Sequence, residues 1–271
     1  MRIVSFNVNS IRVRMHQLEA VIDKHQPEVI GLQETKVPDE EFPEEEIRAL
    51  GYHVAYLGQK THYGVALLTR SEPSSVQLGF DHDTEESQRR FVAATVNTGE
   101  RPLTILNGYF PQGEKRDHPV KFPNKSKFFA DVGDYLAANH SPDDQVIMMG
   151  DMNVAPVDFD IGIGENNRKR WLRDGKTSFL PEEREWLQKY IDWGMTDSFR
   201  ELYPETDDLF SWFDYRSRGF EREPKRGLRI DLILASRGLA GTLSDAGIDY
   251  DIRGMDKPSD HCPIWLEFNP A

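Results

Sequence analysis

The 271-residue chain has one cysteine, Cys262. An intrachain disulfide is excluded, and a reducing cytoplasm is the expected setting. No apolar run approaches the ~20 residues that a transmembrane helix needs. The opening Met1-Arg2-Ile3-Val4-Ser5-Phe6-Asn7 alternates like a strand and lacks the apolar region and cleavage pattern of a signal peptide. There is no fixed-period repeat and no low-complexity tether. The longest polar stretch, Asp214–Arg229, contains Tyr215 and Phe220 and reads as an ordered loop. A single domain over residues 1–271 is expected, its 38% hydrophobic content being enough for a sizeable core.

Positive charge is also short, with 33 Lys and Arg against 46 Asp and Glu, a formal net charge of -13. The sum alone argues against a polyanionic partner, but distribution matters more. Acid gathers in Asp39–Glu46 (six acids, no base) and Asp81–Glu86 (four acids). Base gathers in Glu165–Lys176 (five basic, two acidic, +3) and Asp214–Arg229 (six basic, three acidic, +3). Either basic cluster alone suits a solvated surface. Two of them flanking strand-end polar residues point to phosphate contact.

What the chain does have is a series of apolar runs that end in polar residues. Val146-Ile147-Met148-Met149 runs into Gly150-Asp151-Met152-Asn153, a buried strand delivering a carboxylate and a carboxamide to its carboxyl end. Strands are predicted at Arg2–Val8, Glu28–Glu34, Tyr52–Tyr56, Gly64–Thr69, Phe91–Asn97, Leu103–Asn107, Phe210–Phe213, Leu228–Ala235 and Cys262–Phe268. Helices are predicted at Arg12–His25, Phe122–Ala138 and, after Pro181, Glu182–Trp193; Val157–Thr177 reads as irregular. If the first two strands are parallel, their ends present Asn7 and Glu34 together. The strand-end set is Asn7, Glu34, Tyr109, Asp151, Asn153, Asp231, Asp260 and His261. Singly these suit turns or core ion pairs. Gathered in one cleft, the acids would repel one another without a cation or substrate.

Six segments carry a resemblance: Ser5-Phe6-Asn7-Val8-Asn9, Gly31-Leu32-Gln33-Glu34-Thr35-Lys36, Asn107-Gly108-Tyr109-Phe110-Pro111-Gln112-Gly113, Gly150-Asp151-Met152-Asn153, Leu228-Arg229-Ile230-Asp231 and Ser259-Asp260-His261. In order and spacing they resemble the exonuclease III type of apurinic/apyrimidinic endonuclease, within the endonuclease/exonuclease/phosphatase superfamily. Asp160-Ile161-Gly162-Ile163-Gly164 and Ser211-Trp212-Phe213-Asp214-Tyr215-Arg216-Ser217 resemble its bacterial branch. The resemblance implies a DNase I-like α/β four-layer sandwich, two mixed β-sheets packed face to face with helices outside. It also implies a Mg²⁺- or Mn²⁺-dependent phosphodiesterase that removes nucleotides from 3′ ends of double-stranded DNA, clears blocked 3′ ends and cuts 5′ to abasic sites; a monomer is expected.

By the same resemblance, Glu34 is the principal metal ligand, supported by Asn7 and Asp260, and Asp151, Asn153 and His261 form a possible second metal site. Asp151 orients and deprotonates the attacking water, Asn153 positions it, and Tyr109 reaches the phosphate or leaving oxygen. His261, held by Asp231, either bonds the phosphate as imidazolium or is itself the base; both assignments stand open. Trp212, Leu228 and Ile230 form the pocket for a flipped abasic sugar. Arg89 and Arg90, Gln112, and Lys121 or Lys125 are candidates to contact the DNA backbone or minor groove. Two alternatives are a phosphomonoesterase or phospholipase of the same superfamily and a binding module that has lost catalysis.

Overall fold

The computed structural model describes residues 1–99 and 101–270. In chain order the first strands and helices are β1 (Arg2–Asn7), α1 (Ile11–His25), β2 (Val29–Gln33), α2 (Glu44–Ala49), β3 (His53–Leu57), β4 (Val65–Thr69), β5 (Ser75–Leu78), β6 (Phe91–Asn97), β7 (Pro102–Tyr109), α3 (Lys121–Asn139) and β8 (Gln145–Asp151). They are followed by α4 (Glu165–Arg173), α5 (Pro181–Trp193), β9 (Met195–Asp197), α6 (Ser198–Leu202), β10 (Asp231–Ser236), β11 (Leu243–Ile248), α7 (Tyr250–Arg253) and β12 (Ile264–Phe268).

The strands form two six-stranded sheets, ordered β11-β12-β1-β2-β4-β3 and β5-β6-β7-β8-β10-β9. Each has one parallel pair, β1 with β2 and β7 with β8, each joined through a helix, α1 or α3; every other pairing is antiparallel. A parallel pair needs such a crossover, because a tight turn can only reverse the chain.

Strand alternation sorts the apolar residues into layers. Ile3, Val29, Val65, Val92, Ile105, Ile147, Met149, Ile233 and Leu266 meet between the sheets. Val4, Phe6, Ile30 and Leu32 point outward onto Leu18, Val21 and Ile22 of α1. On the other sheet Val146, Met148, Leu232 and Leu234 pack against Phe128, Phe129 and Val132 of α3 and Leu187 and Tyr190 of α5. The result is helix, sheet, sheet, helix: the four-layer sandwich.

Helix ends follow local chemistry. Gln26 closes α1 in the left-handed region, its N–H on Ile22 O, just before Pro27. Pro181 opens α5, Glu182 and Glu183 fill its first turn, and Gly194 at φ 125 ends it. Three expectations need correction. Residues 157–177 are not all irregular, since α4 lies within them. Phe210–Phe213 is not a strand: Trp212 makes only single bridges, to Leu228 and His261. The strand expected from Leu228 begins at Asp231, because Arg229 turns into a buried ion network instead of pairing along the sheet.

Candidate active site

The two parallel pairs send their carboxyl ends to the same end of the sandwich. Asn7, closing β1, donates Nδ2 to Glu34 Oε1 at 2.9 Å and to Asp151 Oδ2 at 3.0 Å, so one carboxamide ties the end of one sheet to the end of the other. Its Oδ1 accepts the Asn9 N–H at 3.0 Å. Glu34 and Asn153 each follow a strand end and take φ 53, a left-handed turn that costs a non-glycine residue energy and recurs where a side chain must be aimed at a site. Gly150 lets β8 approach β7: at φ 144, a Cβ there would lie 1.9 Å from Gly108 O.

Asp231 opens β10 directly opposite Asp151 in antiparallel register. Its carboxylate receives His261 Nδ1 at 2.8 and 3.1 Å and Ser211 Oγ at 2.6 Å. His261 Nε2 thereby faces Asp151 Oδ2 at 3.7 Å. Ser259 fixes the segment, donating to Asn7 O at 2.7 Å and accepting the His261 N–H at 3.2 Å.

The buried charges perturb one another. Burial raises the Asp151 carboxyl, His261 opposes it, Asp231 and Glu34 add to it, and the group is pushed up to about 8. Burial works against the charge on His261, but Asp231 and Asp151 outweigh it and raise the imidazole to about 10. Burial also raises Glu34, yet Lys36, with help from Asn7 and His261, holds it below the usual carboxylate range. Burial, then Glu34 and Asp151, lift the Tyr109 phenol well above its ordinary value. A cationic imidazole, a neutral phenol and an acid tuned near neutrality line one cleft.

Residues 4–261, which span every segment of this cleft, match the Endonuclease/Exonuclease/phosphatase family. The chain belongs to that family. Exodeoxyribonuclease III of Haemophilus influenzae is 58% identical over 268 residues, covering 99% of this chain and 100% of that protein. A 3′ phosphatase from Neisseria, solved with a product DNA hairpin, has a TM-score of 0.89 at 35% identity, covering 99% of both chains. An AP endonuclease from Archaeoglobus fulgidus has a TM-score of 0.89 at 32% identity, again covering 99% of both.

In this family member the strand-end residues come together: Asn7, Glu34, Asp151, Asp231 and His261 form one hydrogen-bonded or close-contact chain. Asn153 lies beside them, its N–H on Asp151 Oδ1 at 3.0 Å and its Nδ2 on Phe110 O at 3.0 Å. Asp260 accepts from Asn9 Nδ2 at 2.8 Å and Trp212 Nε1 at 3.1 Å. Trp212 is half-buried over fully buried Leu228 and Ile230, while Phe213 turns to a separate core with Phe210 and Cys262. Next to Trp212, a pocket of about 150 Å³ is lined by Trp171, Arg170, Arg222 and Arg226, so the two basic segments do meet.

Two expected DNA contacts are corrected. Arg90 is buried between the rings of Tyr63 and Tyr109, at 4.1 and 4.5 Å, and bonds Tyr109 O at 2.9 Å; it supports Tyr109 from behind. Lys125 is wholly buried against Glu183. Gln112 and Lys121 are exposed, Gln112 bonding Thr177 Oγ1 at 2.9 Å and Lys121 pairing with Glu114 at 2.6 Å. Asn9, Lys36, Ser211 and Ser259 were not assigned from sequence. Lys36 Nζ sits 2.7 Å from Glu34 Oε2 and 2.5 Å from Asn9 Oδ1. All four lie inside the segments that carry the resemblance, which was their available signal.

The donor set suits a hard divalent cation. Glu34, Asp151 and His261 bring side-chain atoms within 4.8 Å of one another, and the two carboxylates crowded this closely are stabilised by a cation with oxygen preference, whereas the imidazole could ligate only in its neutral form. This cluster draws from both expected metal sets. Asp260 stands outside it, tied to Asn9 and Trp212.

Proposed function

We propose that this family member is a DNA-repair nuclease dependent on Mg²⁺ or Mn²⁺. It acts as a 3′-to-5′ exonuclease on duplex DNA, an AP endonuclease cutting 5′ to abasic sites and an enzyme that clears blocked 3′ ends, working as a cytoplasmic monomer. The relatives' names support these activities. The observation that carries the reading is Asp151 held between the Asn7 carboxamide and the His261 imidazole, at the meeting of two sheets.

Glu34 is the proposed main metal ligand, with Asn7 beside it and Asp260, outside the cluster of Glu34, Asp151 and His261, supporting the ion through water; the ion, when bound, would neutralise charge building on the phosphate oxygens. The side chains do the rest. Asp231 orients His261 and stabilises its proton, so Nε2–H is free to donate to a nonbridging oxygen. Asp231 and Asp151 both favour the protonated imidazole, so in this reading His261 is the proton donor and Asp151, its carboxyl raised by burial toward the working pH, is the base for the attacking water. Asn153 orients that water or a phosphate oxygen. Tyr109, kept protonated, donates its hydroxyl hydrogen to the phosphate or the departing oxygen. Trp212 over Leu228 and Ile230 provides an apolar wall that suits a sugar lacking its base, while the arginines beside it meet phosphates.

The test is a time course on a duplex carrying a stable abasic analogue, labelled at each end, with Mg²⁺ and with excess chelator. The expected product is a single cut 5′ to the lesion, followed by shortening from the 3′ end, both abolished by chelator. Full activity in chelator would refute the reading.

A further inference from the structure

A lysine with no exposed surface stands directly behind the catalytic turn. Lys125 lies near the start of α3, and its partner Glu183, on α5, is equally buried. The ammonium has three protons and three acceptors: the Glu183 carboxylate, Asn153 O at 2.9 Å and Gln112 O at 3.3 Å. The other Glu183 oxygen takes the N–H groups of Ser178 and Leu180, both at 2.8 Å. Every polar group in the cluster is used. Removing two ions from water costs several kcal/mol each, and well-packed apolar residues often hold a fold as well or better. Stability alone gives no reason for an ammonium here.

What the ammonium does, and a methyl group cannot, is hold two backbone carbonyls from different loops on one atom. Asn153 O belongs to the turn that presents Asp151 and Asn153, a turn kept at φ 53. Gln112 O belongs to the loop that follows Tyr109. The lysine stem packs under that loop, where a Cβ on Gly113 would come 3.0 Å from Lys125 Cδ. We propose that Lys125 is a positioning residue for hydrolysis: β-pairing already places Tyr109 opposite Asp151, and the ammonium locks the chain just beyond both strand ends, the Asn153 turn to the Gln112 loop, and so sets where Asn153 stands relative to Asp151 and Tyr109. This rests on the reading of Asp151, Asn153 and Tyr109 as groups that touch substrate.

The experiment compares wild type with Lys125→Met, Lys125→Arg and the double variant Lys125→Met/Glu183→Leu. The single-turnover rate on the abasic duplex, with enzyme in saturating excess and Mg²⁺, counts only folded, bound enzyme; KM and the melting temperature are measured alongside. Metal-dependent cutting by wild type checks the functional reading separately. Lys125→Met should cut about 100-fold more slowly, the loss expected from a displaced catalytic group, with KM little changed. The double variant should regain melting temperature but not rate. Lys125→Arg should fall between methionine and wild type, because a guanidinium keeps the charge but cannot place one nitrogen on both carbonyls. A double variant that cuts at the wild-type rate would overturn the proposal. Should neither methionine variant fold, a wild-type rate in Lys125→Arg would overturn it equally.

Discussion

Asp151 and Asp160 are both buried aspartates beside the same end of the sandwich, and burial ends differently for each. Asp160 receives Arg229 Nε at 2.7 Å, Arg229 Nη2 at 3.1 Å, Arg200 Nη2 at 2.5 Å and the Val157 N–H at 3.0 Å. Arg229 reaches on to Asp197 at 2.6 Å. Two guanidiniums answer two carboxylates, so although burial raises Asp160, Arg229 and Arg200 hold it below its usual range. Around Asp151 stand Glu34 and Asp231; His261 faces it at 3.7 Å and the buried Lys125 acts on it from behind, but among the described residues no arginine or lysine bonds its carboxylate, and Asp151 rises to about 8. A balanced buried cluster has finished its work on folding. An unbalanced one stores repulsion that a cation or a phosphate-bound water relieves.

The sharpest way to break this comparison is to neutralise each aspartate in turn. Asp151→Asn should lower abasic-site incision about a thousand-fold, within the range for loss of a general base, while the protein in chelator melts higher than wild type. Asp160→Asn should do the reverse. Its loss strands buried guanidinium charge and should cost roughly 3 kcal/mol of stability, with the single-turnover rate of the folded enzyme largely kept. Urea unfolding and incision rate, read on both variants, decide it. An Asp151→Asn variant that loses stability and keeps activity would invert the assignment.

The same contrast explains what could be read from sequence. The strand-end acids and amides were legible because a carboxylate ending an apolar run is chemically conspicuous. β1, β2, β6, β7 and β8 were legible because their side chains are almost all buried. The helix α4 was not: it buries none of its residues, so no apolar stripe marks it, and ion pairs such as Arg168 with Asp158 help anchor it. Among the strands, β9 has three residues and β5 leaves Val76 and Leu78 exposed, too little pattern for a period of two. Phe210–Phe213 looked like a strand because it is aromatic, but its rings fill two small clusters off the sheets. Lys125 and Arg90 read as surface cations because what buries them, Glu183 in one case and Tyr63 with Tyr109 in the other, lies far away in the chain. No local pattern reports a tertiary partner.

Acid titration sharpens the comparison with a smaller effect. The carboxyl of Asp151 is raised on folding, so its contribution is fully present below the unfolded value near ~3.9 and is lost as pH rises toward about 8. Asp160 is depressed, so its contribution is present above the unfolded value and is lost as pH falls below it. In chelator, the stability gained by Asp151→Asn should grow from pH 4 to pH 8, and the deficit of Asp160→Asn should shrink as pH falls below 4. Urea midpoints at each pH measure both. Parallel curves for the two variants would remove the distinction.

The smallest effects lie at the surface, where the question of balance recurs. In the basic segments Arg168, Lys169, Arg173 and Arg218 pair with neighbouring acids. Arg170, Arg222 and Arg226 line the pocket beside Trp212 together with Asp214, yet make no ion pair among the described residues. An arginine without a carboxylate partner has its charge available for a phosphate, and each lost phosphate contact lowers the slope of log affinity against log salt by about 0.9. Arg226→Ala should therefore flatten the salt dependence of binding to abasic duplex by about one such contact. Lys121→Ala should flatten it less, because Glu114 already holds that ammonium at 2.6 Å. Duplex binding by the Asp151→Asn protein across a salt series tests both. A larger change from Lys121 than from Arg226 would mean that DNA displaces Glu114 and binds along the start of α3, moving the expected path of the backbone away from the arginine pocket.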